Sequence, residues 1–92
     1  MKAGYLVCYD ITKPRRLGRV FRYLKGKGIH LQYSVFYCML TWPELLDMKY
    51  ELSLRILEKE DDVRIYPLPA EPLVRVLGCG ARLPEGIAFF ID

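Results

Sequence analysis

The feature that most constrains this chain is the alternation of strand-like and helix-like segments in its first 68 residues. Short runs rich in Val, Ile, Tyr and Phe alternate with segments whose apolar residues recur every three or four positions, in the order β-α-β-β-α-β. This order in so short a chain predicts the α+β class and a ferredoxin-like βαββαβ sandwich of two helices on an antiparallel sheet. We expect a single domain over residues 1–92, with its core at about 3–68 and C-terminal edge strands at about 72–92.

The first strand is predicted over Tyr5–Tyr9, and the first helix follows it. Thr12 suits the N-cap position, Pro14 suits the first helical turn, and Gly26-Lys27-Gly28 is expected to end the helix. The apolar positions at helical spacing, which are expected to face the core, are Leu17, Val20, Phe21 and Leu24.

The middle of the chain predicts two strands and a second helix. Ile29–Leu40 is a long extended stretch with a bend expected near Ser34. Thr41 and Glu44 have the spacing of a capping box, which predicts a helix to about Lys59. The apolar stripe of this helix is Leu45, Met48, Leu52 and Ile56. The acidic residues near its carboxyl end are interpreted as a solvated turn, because the helix dipole disfavours them there: Glu58, Glu60, Asp61 and Asp62.

Three further strands are predicted at Val63–Leu68, Leu73–Leu77 and Ile87–Ile91. Prolines flank the first of these, so such strands are expected at sheet edges, where they can pair with another chain. A chain of 92 residues buries only about 60–65% of its unfolded surface. We therefore expect a partner subunit.

Composition narrows the class of protein. The chain is 52% apolar, but no apolar run approaches the roughly 20 residues of a membrane span, and the amino terminus lacks a cleavage site. A cytoplasmic protein without membrane contact is expected. Cys8, Cys38 and Cys79 lie far apart in the sequence, which favours reduced core or edge thiols over a disulfide framework or a zinc site.

Asp10 is the first candidate site residue, because it follows an apolar strand and its carboxylate can reach solvent. A magnesium ion requires six oxygen ligands, so one aspartate suffices only if waters and substrate phosphates complete the shell. A twofold dimer that brings two Asp10 side chains together would improve such a site. The alternative is an exposed aspartate that caps the following turn.

Basic residues cluster on the first helix, where Arg15, Arg19 and Arg22 share one face and Arg16 lies beside them. Cations in a first helical turn are disfavoured by about 0.3–1 kcal/mol each, which suggests that an anion binds there. Arginine side chains and free helix amides suit phosphate oxygens without distinguishing bases, so sequence-independent contact with a nucleic-acid backbone is the hypothesis. The alternative is a solvated basic face.

His30 and three aromatic residues are weaker candidates. His30 is either a packed neutral imidazole or, if it has a functional role, a catalytic group or a phosphate contact when protonated. Tyr33, Phe36 and Tyr37 could stack on bases, but alternating aromatics along a strand are first of all core and cross-strand packing.

Two motifs together carry a family resemblance. Tyr9-Asp10-Ile11 after an apolar strand, with Gln32-Tyr33-Ser34-Val35-Phe36 further on, resembles the small universal CRISPR-associated subunit of spacer acquisition, over about residues 4 to 77. The resemblance implies a ferredoxin-like homodimer in which Asp10, the metal-binding and catalytic acid, faces its symmetry mate. It implies a catalytic or secondary role for Tyr9 and phosphate contacts for the arginines at 15, 16 and 19, and leaves His30 and Phe36 as secondary candidates.

The same resemblance implies a function. Members of this family are described as metal-dependent nucleases, with Mg²⁺ or alternatively Mn²⁺, that act on single-stranded RNA or double-stranded DNA. They are also described as dimeric, duplex-binding adaptors of the integrase complex. The sequence departs from the family pattern at His30, where an arginine is common, and in its longer tail, residues 78–92. Two alternatives stay open: a non-catalytic DNA-binding scaffold, and an RNA-binding or toxin-like ribonuclease domain whose aromatics stack bases.

Overall fold

The computed structural model describes residues 1–70 in full and two short C-terminal strands by their backbone. The core follows the predicted order β-α-β-β-α-β. The elements are β1 (Ala3–Asp10), α1 (Pro14–Lys25), β2 (Ile29–Gln32), β3 (Val35–Leu40), α2 (Trp42–Ser53), β4 (Asp62–Pro67), β5 (Leu73–Arg75) and β6 (Ala88–Phe90).

The four core strands form one antiparallel sheet in the order β2-β3-β1-β4, so the ferredoxin-like α+β prediction is confirmed. β1 lies in the interior of the sheet, and its register places Ala3 opposite Leu40 on one side and Asp10 opposite Asp62 on the other. β4 lies at an edge, as predicted for a strand bounded by proline. β5 and β6 pair with each other in a separate parallel sheet instead of extending this one.

Alternation along the strands gives the sheet two different faces. The inner face packs against both helices, and its buried residues are Tyr5, Val7, Tyr9, Phe36, Cys38 and Leu40. The helices contribute Val20, Leu24, Leu45, Met48 and Leu52 to the same core. No helix of the described residues covers the other face, which we call the open face. It consists of Leu6, Cys8 and Asp10 on β1, Val35, Tyr37 and Met39 on β3, and Asp62, Arg64 and Tyr66 on β4.

Helix α1 starts differently from the sequence prediction. Pro14 takes the first helical position as expected, but the N-cap is Lys13 and no side chain caps the helix. The Thr12 hydroxyl instead donates to the Glu60 carbonyl over 2.7 Å, because the loop before β4 packs against this segment. Leu17 is 40% exposed and lies outside the core that Val20 and Leu24 form.

Helix α2 has the predicted capping box. The Thr41 amide donates to the Glu44 carboxylate over 2.8 Å, and the Glu44 amide donates to the Thr41 hydroxyl over 3.3 Å. The helix ends at Ser53, however, and the prediction that it continues to about Lys59 is wrong. The Leu57 amide, which a longer helix would bond within itself, donates to the Asp61 carboxylate instead.

The remaining predictions concern the hairpin, the thiols and membranes. A two-residue turn at Tyr33 and Ser34 joins β2 to β3, which confirms the bend near Ser34. Cys8 and Cys38 are free thiols, and burial raises the pKa of Cys38 to about 11, so it stays protonated; Cys79 lies outside the described residues. None of the described helices is long and apolar enough to span a membrane.

Gly28 lies where α1 gives way to β2, in close contact with β3. A Cβ built at Gly28 would collide with the Tyr37 carbonyl oxygen and the Cys38 sulfur. Backbone atoms of a central strand cannot move aside at low cost, so Gly28→Ala is expected to destabilise the fold by about 1–3 kcal/mol. Urea unfolding measures this change.

Gly26→Ala is the matched control, because Gly26 has a right-handed backbone and its nearest neighbour is 3.6 Å from a built Cβ. This variant should be neutral or slightly stabilising. Equal destabilisation by the two substitutions would contradict the close approach at Gly28.

Candidate functional site

Asp10 is the last residue of β1, and its exposed side chain lies on the open face. Its register partner is Asp62 on β4, so two carboxylates occupy neighbouring positions of one sheet face. Asp62 is paired with Arg64, whose Nε lies 2.9 Å from the carboxylate. The Asp10 carboxylate has neither a hydrogen bond nor an ion pair with any residue of 1–70, so it caps no turn there and is available to a ligand.

The donors at this strand end suit a hard cation. Carboxylate oxygens at a hydrated edge are what Mg²⁺ prefers, with water filling the other positions. Within the described part of the chain, no group of three or more His, Cys, Asp or Glu residues is arranged to hold a metal ion. A magnesium ion at Asp10 would therefore need further oxygens from water, from a phosphate or from a second chain.

Beside Asp10, four residues form an interlocked set that we call the clasp: Thr12, Arg16, Glu60 and Asp61. The Asp61 side chain is fully buried and accepts hydrogen bonds from the Thr12 amide at 3.0 Å and from the Leu57 amide at 2.8 Å. Arg16 donates to it through Nε at 2.7 Å and Nη2 at 3.2 Å, and Nη2 also donates to Glu60 at 2.8 Å. The clasp joins the loop after β1 to the loop before β4.

The prediction of a solvated acidic turn is confirmed for Glu58, Glu60 and Asp62, which are exposed, and is wrong for Asp61. Asp61 is buried, and the hydrogen bonds from the Arg16 guanidinium hold the pKa of its carboxyl well below the usual range. Burial acts in the opposite direction, and the Leu57 and Thr12 amides add to the lowering of the pKa. Asp61 is thus ionised and fully bonded at neutral pH, because four donors replace the water it has lost.

The predicted arginine set divides into two groups. Arg15, Arg19 and Arg22 are exposed on α1 and form no ion pair within residues 1–70, so they form a basic ridge that starts five residues after the end of β1. Arg16 is only 22% exposed in its side chain and is bonded to two carboxylates. Its contacts therefore do not support the prediction that it binds phosphate.

Tyr9 lies on the opposite side of the sheet from Asp10. It is 6% exposed, its ring stacks on Phe36 at a centroid distance of 6.3 Å, and burial raises the pKa of its hydroxyl. The structure does not bring Tyr9 and Asp10 together. The surroundings of Tyr9 are those of a core residue. Adjacent strand residues point to opposite faces, which separates these two neighbours in sequence.

His30 and Phe36 pack together beneath α1. Phe36 is completely buried, and the His30 ring lies 4.9 Å from it and 5.3 Å from Phe21. His30 Nε2 lies 2.6 Å from the Tyr33 carbonyl oxygen, within hydrogen-bond distance. The packing interpretation of both residues is supported. Among the three candidate stacking residues, only Tyr33 is well exposed, at 88%.

The sequence pattern misses two residues of this region, Asp62 and Arg64. It assigns Asp62 to a solvated turn and Arg64 to a strand, and nothing in their spacing marks them as neighbours of Asp10. The alternation of charged and apolar residues in Asp62–Pro67 does indicate which face each side chain takes. The pairing of β4 with β1, which brings Asp62 to Asp10, joins residues 52 positions apart and cannot be found from local pattern.

Comparison with known families gives a clear match. The family model described as CRISPR associated protein Cas2 matches residues 3–76. The CRISPR-associated endoribonuclease Cas2 2 of Thermodesulfovibrio yellowstonii is 58% identical over 90 residues, which covers 98% of this chain and 99% of that protein. The CRISPR-associated endoribonuclease Cas2 1 of Nitrosomonas europaea is 43% identical over 95 residues, covering 92% of this chain and 80% of that protein.

A solved structure agrees with the sequence comparison. The crystal structure of a hypothetical protein from Thermus thermophilus superposes with a TM-score of 0.80 at 35% identity. The match covers 87% of this chain and 95% of that one. A second solved structure, titled a crystal structure of cas2, superposes with a TM-score of 0.76 at 30% identity and covers 95% of this chain and 99% of that one, so the fold and the sequence point to the same family.

The depressed pKa of Asp61 predicts how stability changes with pH. The folded state keeps Asp61 ionised when the unfolded chain, with an ordinary pKa of about 3.9, takes up a proton. The stabilisation is fully present above about pH 5 and declines as pH falls through the acid range. The difference in melting temperature between wild type and Asp61→Asn should therefore shrink from pH 7 to about pH 3.

Circular dichroism melts at several pH values provide the measurement. Glu58→Gln is the control, because Glu58 is exposed and lies outside the clasp; it should follow the wild-type profile. A difference between wild type and Asp61→Asn that stays constant with pH would contradict the role of an ionised Asp61.

Proposed function

The chain belongs to the CRISPR-associated Cas2 family, and from this premise we propose that it is a CRISPR-associated nuclease that hydrolyses phosphodiester bonds at Asp10. Two curated relatives are named CRISPR-associated endoribonucleases, which supports RNA as the substrate. We propose single-stranded RNA as the substrate class and double-stranded DNA as the alternative. The observation that carries the proposal is the exposed Asp10 carboxylate, which lacks a partner within residues 1–70 and ends the strand that leads, through residues 11–13, into the helix with the basic ridge.

We propose that the active form is a homodimer built on the open face. Met39 and Tyr66 are about 45% exposed on this face, whereas the side chains on the other face of the same sheet are buried in the core. Leu6 lies opposite both Tyr37 and Tyr66, so the centre of this face is apolar while its Asp10 end is charged. Pairing two open faces would bury the apolar centre and bring two Asp10 side chains to one site.

Magnesium fits this arrangement, and the two Asp10 carboxylates of a dimer would hold it. The ion would supply a Lewis acid that lowers the pKa of bound water and offsets negative charge on the phosphate. Arg15, Arg19 and Arg22 bind non-bridging phosphate oxygens and orient the backbone. Seven helical positions separate the first and last of these residues, or roughly 10 Å along the axis, so the ridge can follow successive phosphates.

We propose a second role as a duplex-binding adaptor that joins the integrase subunit during spacer acquisition in the cytoplasm. One observation favours this role even without cleavage: within residues 1–70, neither Tyr9 nor His30 lies on the face that carries Asp10, so neither can act as a general base beside it. Backbone binding along the ridge requires no such base. This scaffold function is therefore the principal alternative to hydrolysis.

Asp10→Asn tests the nuclease. It removes the anionic ligand while keeping side-chain size. Mg²⁺-dependent cleavage of labelled single-stranded RNA and duplex DNA should fall by about 100-fold or more, because the metal loses a charged ligand. Asp47→Asn, on the exposed side of α2, should retain activity. Equal cleavage by wild type and Asp10→Asn would rule out Asp10; absence of cleavage by wild type, with duplex binding retained, would favour the scaffold.

Leu6→Arg tests the proposed dimer. Arginine would place an unpaired charge at the apolar centre of the open face, so analytical ultracentrifugation should show a shift from dimer to monomer. Leu46→Arg is the matched control, because Leu46 is 48% exposed on the far side of α2. Retention of the dimer by Leu6→Arg, or its loss in Leu46→Arg alone, would place the interface elsewhere.

A further inference from the structure

We propose that Arg16 and Asp61 are positioning residues that hold the end of β1 in place, and that Arg16 does not contact nucleic-acid phosphate. This inference rests on the proposed function at Asp10, because it concerns the support of that same strand end. It assigns different tasks to adjacent arginines of α1: Arg15 contacts the substrate, and Arg16 contacts the protein.

The hydrogen bonds of Arg16 are the first argument. Its Nε and Nη2 groups donate to three carboxylate oxygens of Asp61 and Glu60, at 2.7 to 3.2 Å. A phosphate approaching this guanidinium would meet two negative charges at hydrogen-bond distance. Arg15 is exposed and has no ion pair within residues 1–70. The two side chains therefore differ in surroundings although they carry the same charge.

The position of the clasp is the second argument. Thr12, whose amide donates to Asp61, lies two residues beyond Asp10. Asp61 immediately precedes Asp62, the register partner of Asp10. The clasp thus joins the two chain segments directly beyond the last residue pair of the β1–β4 ladder.

This last residue pair needs such support. Asp10 and Asp62 are like charges in directly opposed positions, an arrangement that disfavours strand pairing. Strand ends also fray readily when nothing outside the ladder holds them. The buried ionic hydrogen bonds of the clasp oppose both effects. They keep the Asp10 carboxylate at the place where a ligand or a second chain can meet it, and displacement by about 1 Å can be costly for catalysis.

Amide hydrogen exchange tests the clasp directly. In Arg16→Met and in Asp61→Asn, exchange at the Asp10 and Thr12 amides should accelerate by roughly 10- to 100-fold, since each variant leaves a buried polar group without its partner. The double variant should be no more than slightly faster than either single one, because both remove the same interaction. Arg16→Lys keeps the charge, should give an intermediate rate, and replaces Asp61→Asn if that variant does not fold.

The salt dependence of duplex binding separates positioning from phosphate binding. Arg15→Met should reduce the slope of log affinity against log salt by about 0.9 for each phosphate that Arg15 neutralises. Arg16→Met should leave the slope unchanged. A reduction by Arg16→Met as large as that of Arg15→Met would overturn the proposal.

Titration with Mg²⁺, followed at the Asp10 amide resonance, separates positioning from general stability. The clasp variants should raise the half-saturating concentration by about tenfold or more, as loss of a supporting hydrogen bond does at other metal sites. Thr41→Ala is the stability control, because it removes the α2 capping box at the opposite end of β1 from Asp10. An equal shift in Thr41→Ala would show that the clasp is merely structural.

Wild type that shows no response to Mg²⁺ would reject the metal part of the proposed function and not the clasp. Exchange at Asp10 then decides: acceleration in the clasp variants and not in Thr41→Ala supports positioning, and unchanged exchange in all of them overturns it.

Discussion

The fold depends on β1, which is paired along both of its edges. Its register with β3 runs from Ala3 to Cys8, and its register with β4 runs from Tyr5 to Asp10. One set of alternate side chains enters the core beneath both helices, and the other set lies on the open face. Because a shift of one residue would exchange the two sets, the packing of the core also fixes the face on which Asp10 lies.

The arginines of α1 have two different roles in this small domain. Arg16 is bound to Asp61 and Glu60 inside the protein, while Arg15, Arg19 and the rest of the ridge face solvent. The internal pair links two loops at the end of the sheet, and the external group is available to an anion. A net charge of +3 conceals this division, since it counts both groups alike.

The structure also explains why the proposed metal site would be incomplete in one chain. Asp10 lies on the open face, whereas Tyr9 and Phe36 are core residues, and the described residues offer no third ligand at the strand end. The missing metal ligand and the uncovered apolar residues belong to the same region, because the apolar centre of the open face adjoins its charged end. A second copy of the chain would supply the missing carboxylate and cover the apolar centre, which joins the oligomeric state to the proposed chemistry.

Local patterns were sufficient to predict most of the elements. Periodicity identified both helices, the capping box at Thr41 and Glu44 placed the start of α2, and the family resemblance was confirmed by the match over residues 3–76. These features depend on residues a few positions apart, so they are visible in the sequence. The position of Asp10 at the end of a strand was predicted from local pattern in the same way.

Only the tertiary structure decided what surrounds that strand end. Asp61 forms hydrogen bonds with Thr12 and Arg16, which are 49 and 45 residues distant, and these bonds bury an acid that local pattern placed in solvent. The same loop ends α2 at Ser53, although its apolar spacing continues to Ile56. The sequence by itself determined the elements and the candidate acid, because these follow from local periodicity. Which arginine serves the protein and which is free for a ligand depended on contacts that form only when distant segments meet.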